Sequence, residues 1–470
     1  MKPINEKRWL ILGIVLAAEI MDLLDSTIVN VAGPSLKNEL DASPSALQWV
    51  IGGYTLTLGA GLVLGGRLAD RYSRRNIFLV GLVFFTATSL LCATAPNIQA
   101  LIVFRLLQGF AAALVLPHVL GFIRDVFPPE ELGKAFAIFG PVFGLGGILG
   151  PIIGGFIIDG NLASTGWRAV FLVNIPIGIV NIALAWKYLP KRASDHSIKI
   201  DLIGSILMIG SSGLLLWPLI QGQAAGWPLW TYMSLLGSAV GFGIFGLQQR
   251  WVISRSKTPL IDPDIFKARA YNLGLIGIFV FFAGFTGVYL IITLFLQIGH
   301  NYSASGAGIA NIAIAAGTAI GGALSGAVLA EKFGTKVLQV GALVQVIGAI
   351  ALYVALSGMH TFNFWQIAPG MFLSGCGTGL VIAALFDAIL LAIKDDLVGS
   401  ASGVLSSVQS IGSSVGVAIF GTIFFKQVEL FKIDQGFKNA LILQAGLILL
   451  FVILTVFLPK KISAEADISR

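Results

Sequence analysis

Apolar residues fall along this chain in runs of about 20, separated by short stretches richer in Lys, Arg, Asp, Gly and Pro. A helix needs about that length to cross a hydrocarbon layer about 30 Å thick at about 1.5 Å per residue. Such runs recur at residues 9–34, 47–69, 77–95, 98–122, 135–158, 169–189, 202–222, 229–249, 271–298, 304–330, 336–358, 363–391, 398–425 and 439–459. The pattern predicts an all-α integral membrane protein with fourteen spans. The longest polar gap, residues 250–270, has room for no more than a short surface helix, so function is expected among the spans.

Composition agrees: of 470 residues, 56% are hydrophobic and only 11% charged, and 57 are glycine. Lys and Arg collect in alternate loops, which places both termini in the cytoplasm by the positive-inside bias. The net charge of +7 thus reports topology rather than nucleic-acid binding, since no long basic tract carries interleaved aromatics. Cys92 and Cys376 both fall in spans and offer neither a disulfide framework nor a ligand cluster, so no metal, redox group or cofactor is expected. The first apolar run is too long and too acidic for a cleaved signal peptide and is read as span one.

Two loops resemble each other, Gly-Gly-Arg-Leu-Ala-Asp-Arg-Tyr-Ser-Arg-Arg at 65–75 and Gly-Ala-Val-Leu-Ala-Glu-Lys-Phe-Gly-Thr-Lys at 326–336. They follow spans two and ten, which suggests duplicated six-span halves, as many transporters have, separated by two additional spans. The expected division is a six-helix bundle over 1–200, two linking helices over 201–250 and a second bundle over 251–470. Glycines recur at near-helical spacing in spans five, ten and thirteen. They permit close helix packing, either as static contacts or as a surface along which one bundle moves past the other.

Span one carries three acids, Glu19, Asp22 and Asp25. Successive members are offset by about 60° on a helix, so all three share about one third of its circumference. Carboxylates are costly in a bilayer and usually face a wet cavity or the bundle interior. Asp25 and Asp22 are therefore candidates for holding a proton or a cation, or else structural acids bonded to neighbouring hydroxyls. Glu19 either extends the same relay or pairs with a basic side chain. Arg105, in span four, is a guanidinium that stays charged and so needs an acid, carbonyls or water around it. Asp387 lies seven residues before Lys394, about 10 Å inside the helix end; it either reaches the chain end or forms a second acidic site opposite span one.

Several motifs in order resemble a known family. Gly66-Arg67-Leu68-Ala69-Asp70-Arg71-Tyr72-Ser73-Arg74-Arg75 is similar to the loop motif of the major facilitator superfamily between spans two and three. Gly140 to Gly155, including Gly150, Pro151, Gly154 and Gly155, resembles the span-five signature of its antiporters. Leu24-Asp25-Ser26-Thr27-Ile28-Val29-Asn30-Val31-Ala32 resembles the span-one motif of fourteen-span drug/proton antiporters. Gln48-Trp49 with Tyr54, Arg105 to Gly109, Gly166-Trp167-Arg168 to Gly178, and Gly399 to Gly403 also agree. Departures are Ser73 in place of the usual loop glycine, Gly33 before Pro34, and the extra acids Glu19 and Asp22.

The resemblance implies proton coupling through Asp25 and Arg105, with Asp22 and Glu19 as added members. Cargo contacts are expected among Asp22, Asp25, Tyr54, Gln108 and Asp387, of which Asp22 and Asp387 depart from the family pattern. Gating would involve Asp70, Arg71, Arg74 and Arg75, with Asp70 reaching the start of span thirteen, and the glycines and Pro151 of span five. The expected function is multidrug efflux of amphipathic, cationic small molecules in exchange for protons, by a monomer in a bacterial inner membrane. A dedicated exporter of one endogenous metabolite, lipid, antibiotic or siderophore is the alternative. The chain has no GxxxxGK[ST] nucleotide motif and no catalytic constellation, which argues against an ATPase or a membrane enzyme; the paired halves argue against a channel.

Overall fold

The structure, a computed structural model, describes residues 7–128, 131, 149–160, 165–191, 200–255, 258–358, 362–391, 393, 397–430 and 432–458. Among these residues there is no strand, and twelve helices are long and apolar enough to cross a membrane. The principal helices are α1 (Arg8–Ile28), α2 (Pro44–Tyr72), α3 (Arg74–Ala93), α4 (Ile98–Ala113), α5 (Leu149–Asp159), α6 (Asn174–Tyr188) and α7 (Leu202–Gln221). They continue with α8 (Leu229–Ser254), α9 (Arg269–Leu294), α10 (Ala304–Leu324), α11 (Lys336–Ser357), α12 (Phe364–Leu390), α13 (Val398–Glu429) and α14 (Ile433–Thr455). Two of the fourteen predicted runs fall outside the twelve. In α1 the three acids interrupt the apolar stretch, and for the run 135–158 residues 132–148 lie outside the described set.

Local sequence sets the helix ends. Ser43 opens α2 by accepting a hydrogen bond from the Ala46 amide, with Pro44 in the first turn, where its missing N–H costs nothing. Asn97 caps α4 through the Ala100 amide, 2.8 Å away. At its far end α1 tightens into a 3-10 turn, Val29–Ala32, before Gly33 and Pro34 start a new short helix. Proline cannot continue the α1 hydrogen-bond ladder, so the chain must be redirected there.

In the first half α1 packs on α6, α2 and α3 pack on α4, and α3 packs on α6; in the second, α12 packs against α10 and α11, and α14 against α9 and α11. The halves meet along α2 and α13, which run antiparallel: the Thr55 and Ser414 hydroxyls are 2.6 Å apart, and Ser414 also donates to the Gly52 carbonyl at 3.0 Å. Gly59 makes this approach possible, because a Cβ there would lie 2.7 Å from the Ser410 Cβ. Helix α7 lies over this seam. Leu216 and Ile220 pack with Leu56 of α2 and Ala418 of α13, and α8 packs on α7.

The apolar core differs between the two ends of the bundle. At the end away from Arg8 and Thr455, called here the far end, one continuous cluster joins both halves, with Ile28, Val50 and Trp167 packed among the same residues as Ile291, Phe295 and Phe424. At the terminal end the cluster divides. Ile14, Phe78 and Phe122 belong to a first-half cluster, and Tyr271, Phe281 and Leu385 to a second-half one, which Val63 and Leu64 of α2 join, with Leu68 and Phe110 packed against it.

Candidate functional site

The three acids of α1 are all buried, and they have different surroundings. Asp25 is 0% exposed and sits where α1, α4 and α6 converge. Arg105 of α4, also fully buried, donates from its guanidinium to Asp25 Oδ2. Gln108 Nε2 donates to Asp25 Oδ1 at 2.9 Å, and Asn174 Nδ2 donates to the same oxygen at 2.7 Å. Arg105 is held in turn: its Nε donates to the Val50 carbonyl at 3.0 Å and its NH1 to Gln108 Oε1 at 2.8 Å. Asn174 reaches Ser89 Oγ at 3.0 Å, and Ser89 donates to the Phe171 carbonyl. A buried ion pair needs further hydrogen bonds to satisfy its remaining donors and acceptors, and α2, α4 and α6 supply them here, with Ser89 of α3 behind Asn174.

Asp22 lies one turn back toward the terminal end and accepts a hydrogen bond from the Tyr54 hydroxyl of α2. The Tyr54 ring also covers the Arg105 guanidinium, whose central carbon is 4.2 Å from the ring centroid. Phe171 lies on the guanidinium as well, at 5.7 Å. Tyr54 thus touches both systems, one through its hydroxyl and the other through its π face, where a desolvated cation–π contact is worth about 2 kcal/mol. Glu19 is 6% exposed, and among the described residues no basic side chain forms an ion pair with it. Among the described residues no group of three or more His, Cys, Asp or Glu side chains could hold a metal ion.

The span-five glycines occupy crossings between helices. A Cβ on Gly150 would collide with Thr27 Oγ1, and one on Gly154 would lie 2.5 Å from the Ile28 side chain, so α5 presses against α1. On its other side a Cβ on Gly155 would lie 2.5 Å from the Ala304 carbonyl oxygen, and one on Gly308 would collide with the Pro151 carbonyl. These bare backbones draw α1, α5 and α10 together. Asp159, at the tip of α5, then caps α10: it accepts from the Ala304 amide at 3.2 Å, from the Ser305 amide at 2.8 Å and from the Ser305 hydroxyl.

Among the loop residues expected to gate, Arg74 pairs with Asp125 and Arg75 donates to the Trp186 carbonyl while lying over its ring. Both contacts stay within the first half. The Arg71 guanidinium lies 5.2 Å from the Tyr72 ring centroid. The side chains of Asp70 and Asp387 and the segment 140–148 lie outside the described set. Ser89, Asn174 and Asp159 were not singled out from sequence. Asn174 is an amide inside an apolar run, which is the signal that could have found it. Ser89 has no such signal, and Asp159 reads as an ordinary helix-end acid.

Residues 15–417 match the family model of the Major Facilitator Superfamily. The chain is 41% identical over 427 residues to a protein of Streptomyces coelicolor described as a probable actinorhodin transporter, covering 90% of this chain and 73% of that one. It is 34% identical over 408 residues to the methylenomycin A resistance protein of Bacillus subtilis, covering 86% of this chain and 85% of that one. In three dimensions it resembles a D-xylose–proton symporter with a TM-score of 0.68 over 96% of this chain and 98% of that one, at 15% identity, a likeness of fold alone. The matched span, the relatives and the all-helical architecture agree: this multi-pass membrane protein belongs to the Major Facilitator Superfamily, a family of transporters.

Proposed function

We propose that this transporter exports amphipathic, cationic small molecules in exchange for protons, by alternating access across a bacterial inner membrane. The observation that carries the reading is the division of labour on α1. One acid, Asp25, is locked to Arg105, while its two neighbours on the same wall lack an ion-pair partner among the described residues. An acid without a fixed cation suits a cationic cargo or a proton, and an acid with one suits a coupling element whose protonation releases an arginine. Relatives described as antibiotic exporters and multidrug resistance proteins support efflux.

The same reading takes α1 and the run 135–158 as spans beside the twelve long helices, which makes fourteen, with both termini cytoplasmic and bundles over 1–200 and 251–470 joined by 201–250. The shared apolar cluster at the far end and the divided one at the terminal end then correspond to a conformation closed outward and parted toward the cytoplasm. Asp22, Asp25, Tyr54, Gln108 and Asp387 are the proposed cargo contacts, and Asp70 with Arg71, Arg74 and Arg75 the proposed cytoplasmic gate.

The test is uptake into inverted membrane vesicles of matched cationic, neutral and anionic compounds under an imposed proton gradient. Uptake of cationic compounds that stops when the gradient is collapsed is the expected result. Uptake that ignores the gradient, or that favours anions, overturns the reading.

A further inference from the structure

A groove of about 450 Å³ opens on the first half, between α1 and α6, nearer the terminal end than the acids. Its walls are apolar: Leu10, Ala17, Val180 and Leu184 among others. Gly13 sits on α1 with nothing within 4 Å of the position a Cβ would take, so the groove is not filled by the protein itself. In its lining is one polar residue, Asn181, only 2% exposed, with neither its amide nitrogen nor its amide oxygen hydrogen-bonded. A buried amide left so is costly, about 1–3 kcal/mol, and it asks for a ligand with an apolar body and a hydrogen-bonding group part of the way along.

The rim at the terminal end is basic. Lys7 is three residues before Leu10 on α1, and Lys187 three residues beyond Leu184 on α6. Both ammonium groups lie on the same ring, that of Tyr188, at 4.9 and 5.3 Å from its centroid. Along α6, Lys187 is about 9 Å from Asn181. The groove therefore presents, from interface to interior, positive charge, an aromatic rim, a buried amide and apolar walls.

We propose that this groove is a binding site for an anionic phospholipid, with its phosphate between Lys7 and Lys187, its glycerol ester region at Asn181 and an acyl chain along the α1–α6 wall. An acyl chain satisfies the apolar walls, and an ester carbonyl accepts from the Asn181 amide. The negative headgroup is drawn by the lysines, each expected to favour an anionic over a zwitterionic lipid by about fivefold. An amphipathic cation would fit the walls but meet like charge at the rim.

The test is native mass spectrometry of the delipidated full-length protein titrated with phosphatidylglycerol or with phosphatidylcholine. The wild type should retain one phosphatidylglycerol more tightly than the rest, preferred over phosphatidylcholine by about fivefold or more. Gly13→Leu, which fills open space and so spares the fold, should abolish that tight lipid. Gly210→Leu, on α7 where a Cβ likewise meets nothing within 4 Å, should leave it in place. Lys187→Gln should bring the two lipids closer together without loss of folding. Equal retention of both lipids by the wild type, or a tight lipid that survives Gly13→Leu, overturns the proposal. So does its displacement by ethidium at concentrations that leave the other bound lipids in place, which would make the groove a port for cationic amphiphiles instead.

Discussion

Tyr54 donates its hydroxyl to Asp22 and lays its ring on Arg105, so one side chain of α2 joins the two acids of α1 that lie one turn apart. Anything that changes the charge on Asp22 is felt by the ring that covers the cation paired with Asp25. This is a short physical path between the proposed cargo acid and the proposed coupling pair.

Removing one partner of the buried pair should be far worse than removing both. Arg105→Ala strands the Asp25 carboxylate and should cost roughly 3–5 kcal/mol, read as a lower unfolding midpoint in detergent. Asp25→Asn should insert normally yet abolish cargo-induced alkalinisation in acidified vesicles. The combination Asp25→Asn with Arg105→Gln should recover stability while staying inactive. A single Asp25→Asn variant with wild-type proton exchange would remove Asp25 from the coupling role.

Asp22→Asn keeps an oxygen for the Tyr54 hydroxyl and loses only the charge. Transport of a dicationic compound should fall more than that of a monocationic analogue, with a neutral analogue least affected. Glu19→Gln should act in the same direction. Rates compared at a fixed proton gradient decide this: an equal loss for all three compounds points to coupling or folding instead, and no loss for any assigns both acids a structural role.

Gly155→Val forces a branched side chain into the contact between α5 and the Ala304 carbonyl, at a cost of about 1–3 kcal/mol in the closed far end. The expected outcome is a population shift toward a far-end-open state. It would be read as longer distances between spin labels placed on the tips of α5 and α10. Unchanged distances in a folded variant would show that the glycine serves packing alone.

Asp159→Asn should loosen the same end by removing the negative charge that the start of α10 favours, worth about 0.3–1 kcal/mol. Burial raises the proton affinity of Asp159, but donors from Ser305, Ser303 and Ala304 outweigh it and hold the carboxyl below its usual range. A depressed carboxylate contributes its stability above the ordinary value, near about 3.9, and loses it as pH falls through the depressed one. Label distances across the far end should therefore be flat between about pH 5 and 8. A transition within that window would contradict this assignment.

Sequence alone determined the class of the molecule and the positions of most of its helices, because transfer of an apolar run into a bilayer is a local property summed residue by residue. The twelve long helices coincide with predicted runs, and the three acids of span one were legible because charge is so rare in such runs. Partners were not legible. Asp25 is joined to residues 80 and 149 positions away, Arg105 and Asn174, and no periodicity encodes which of several polar residues on other helices will face it. The span-five glycines were visible as a pattern, but only packing shows that Gly150 and Gly154 meet α1 while Gly155 meets α10. Arg74 and Arg75 read from sequence as gate residues, and in the fold they bind Asp125 and the Trp186 carbonyl of their own half. The same holds for Asn181, an ordinary amide in the sequence whose lack of partners exists only once α1 and α6 have packed around it. Helix formation in a membrane is decided by each segment's own composition, whereas the choice of contacts depends on the mutual orientation of segments far apart in the chain, which tertiary structure alone supplies.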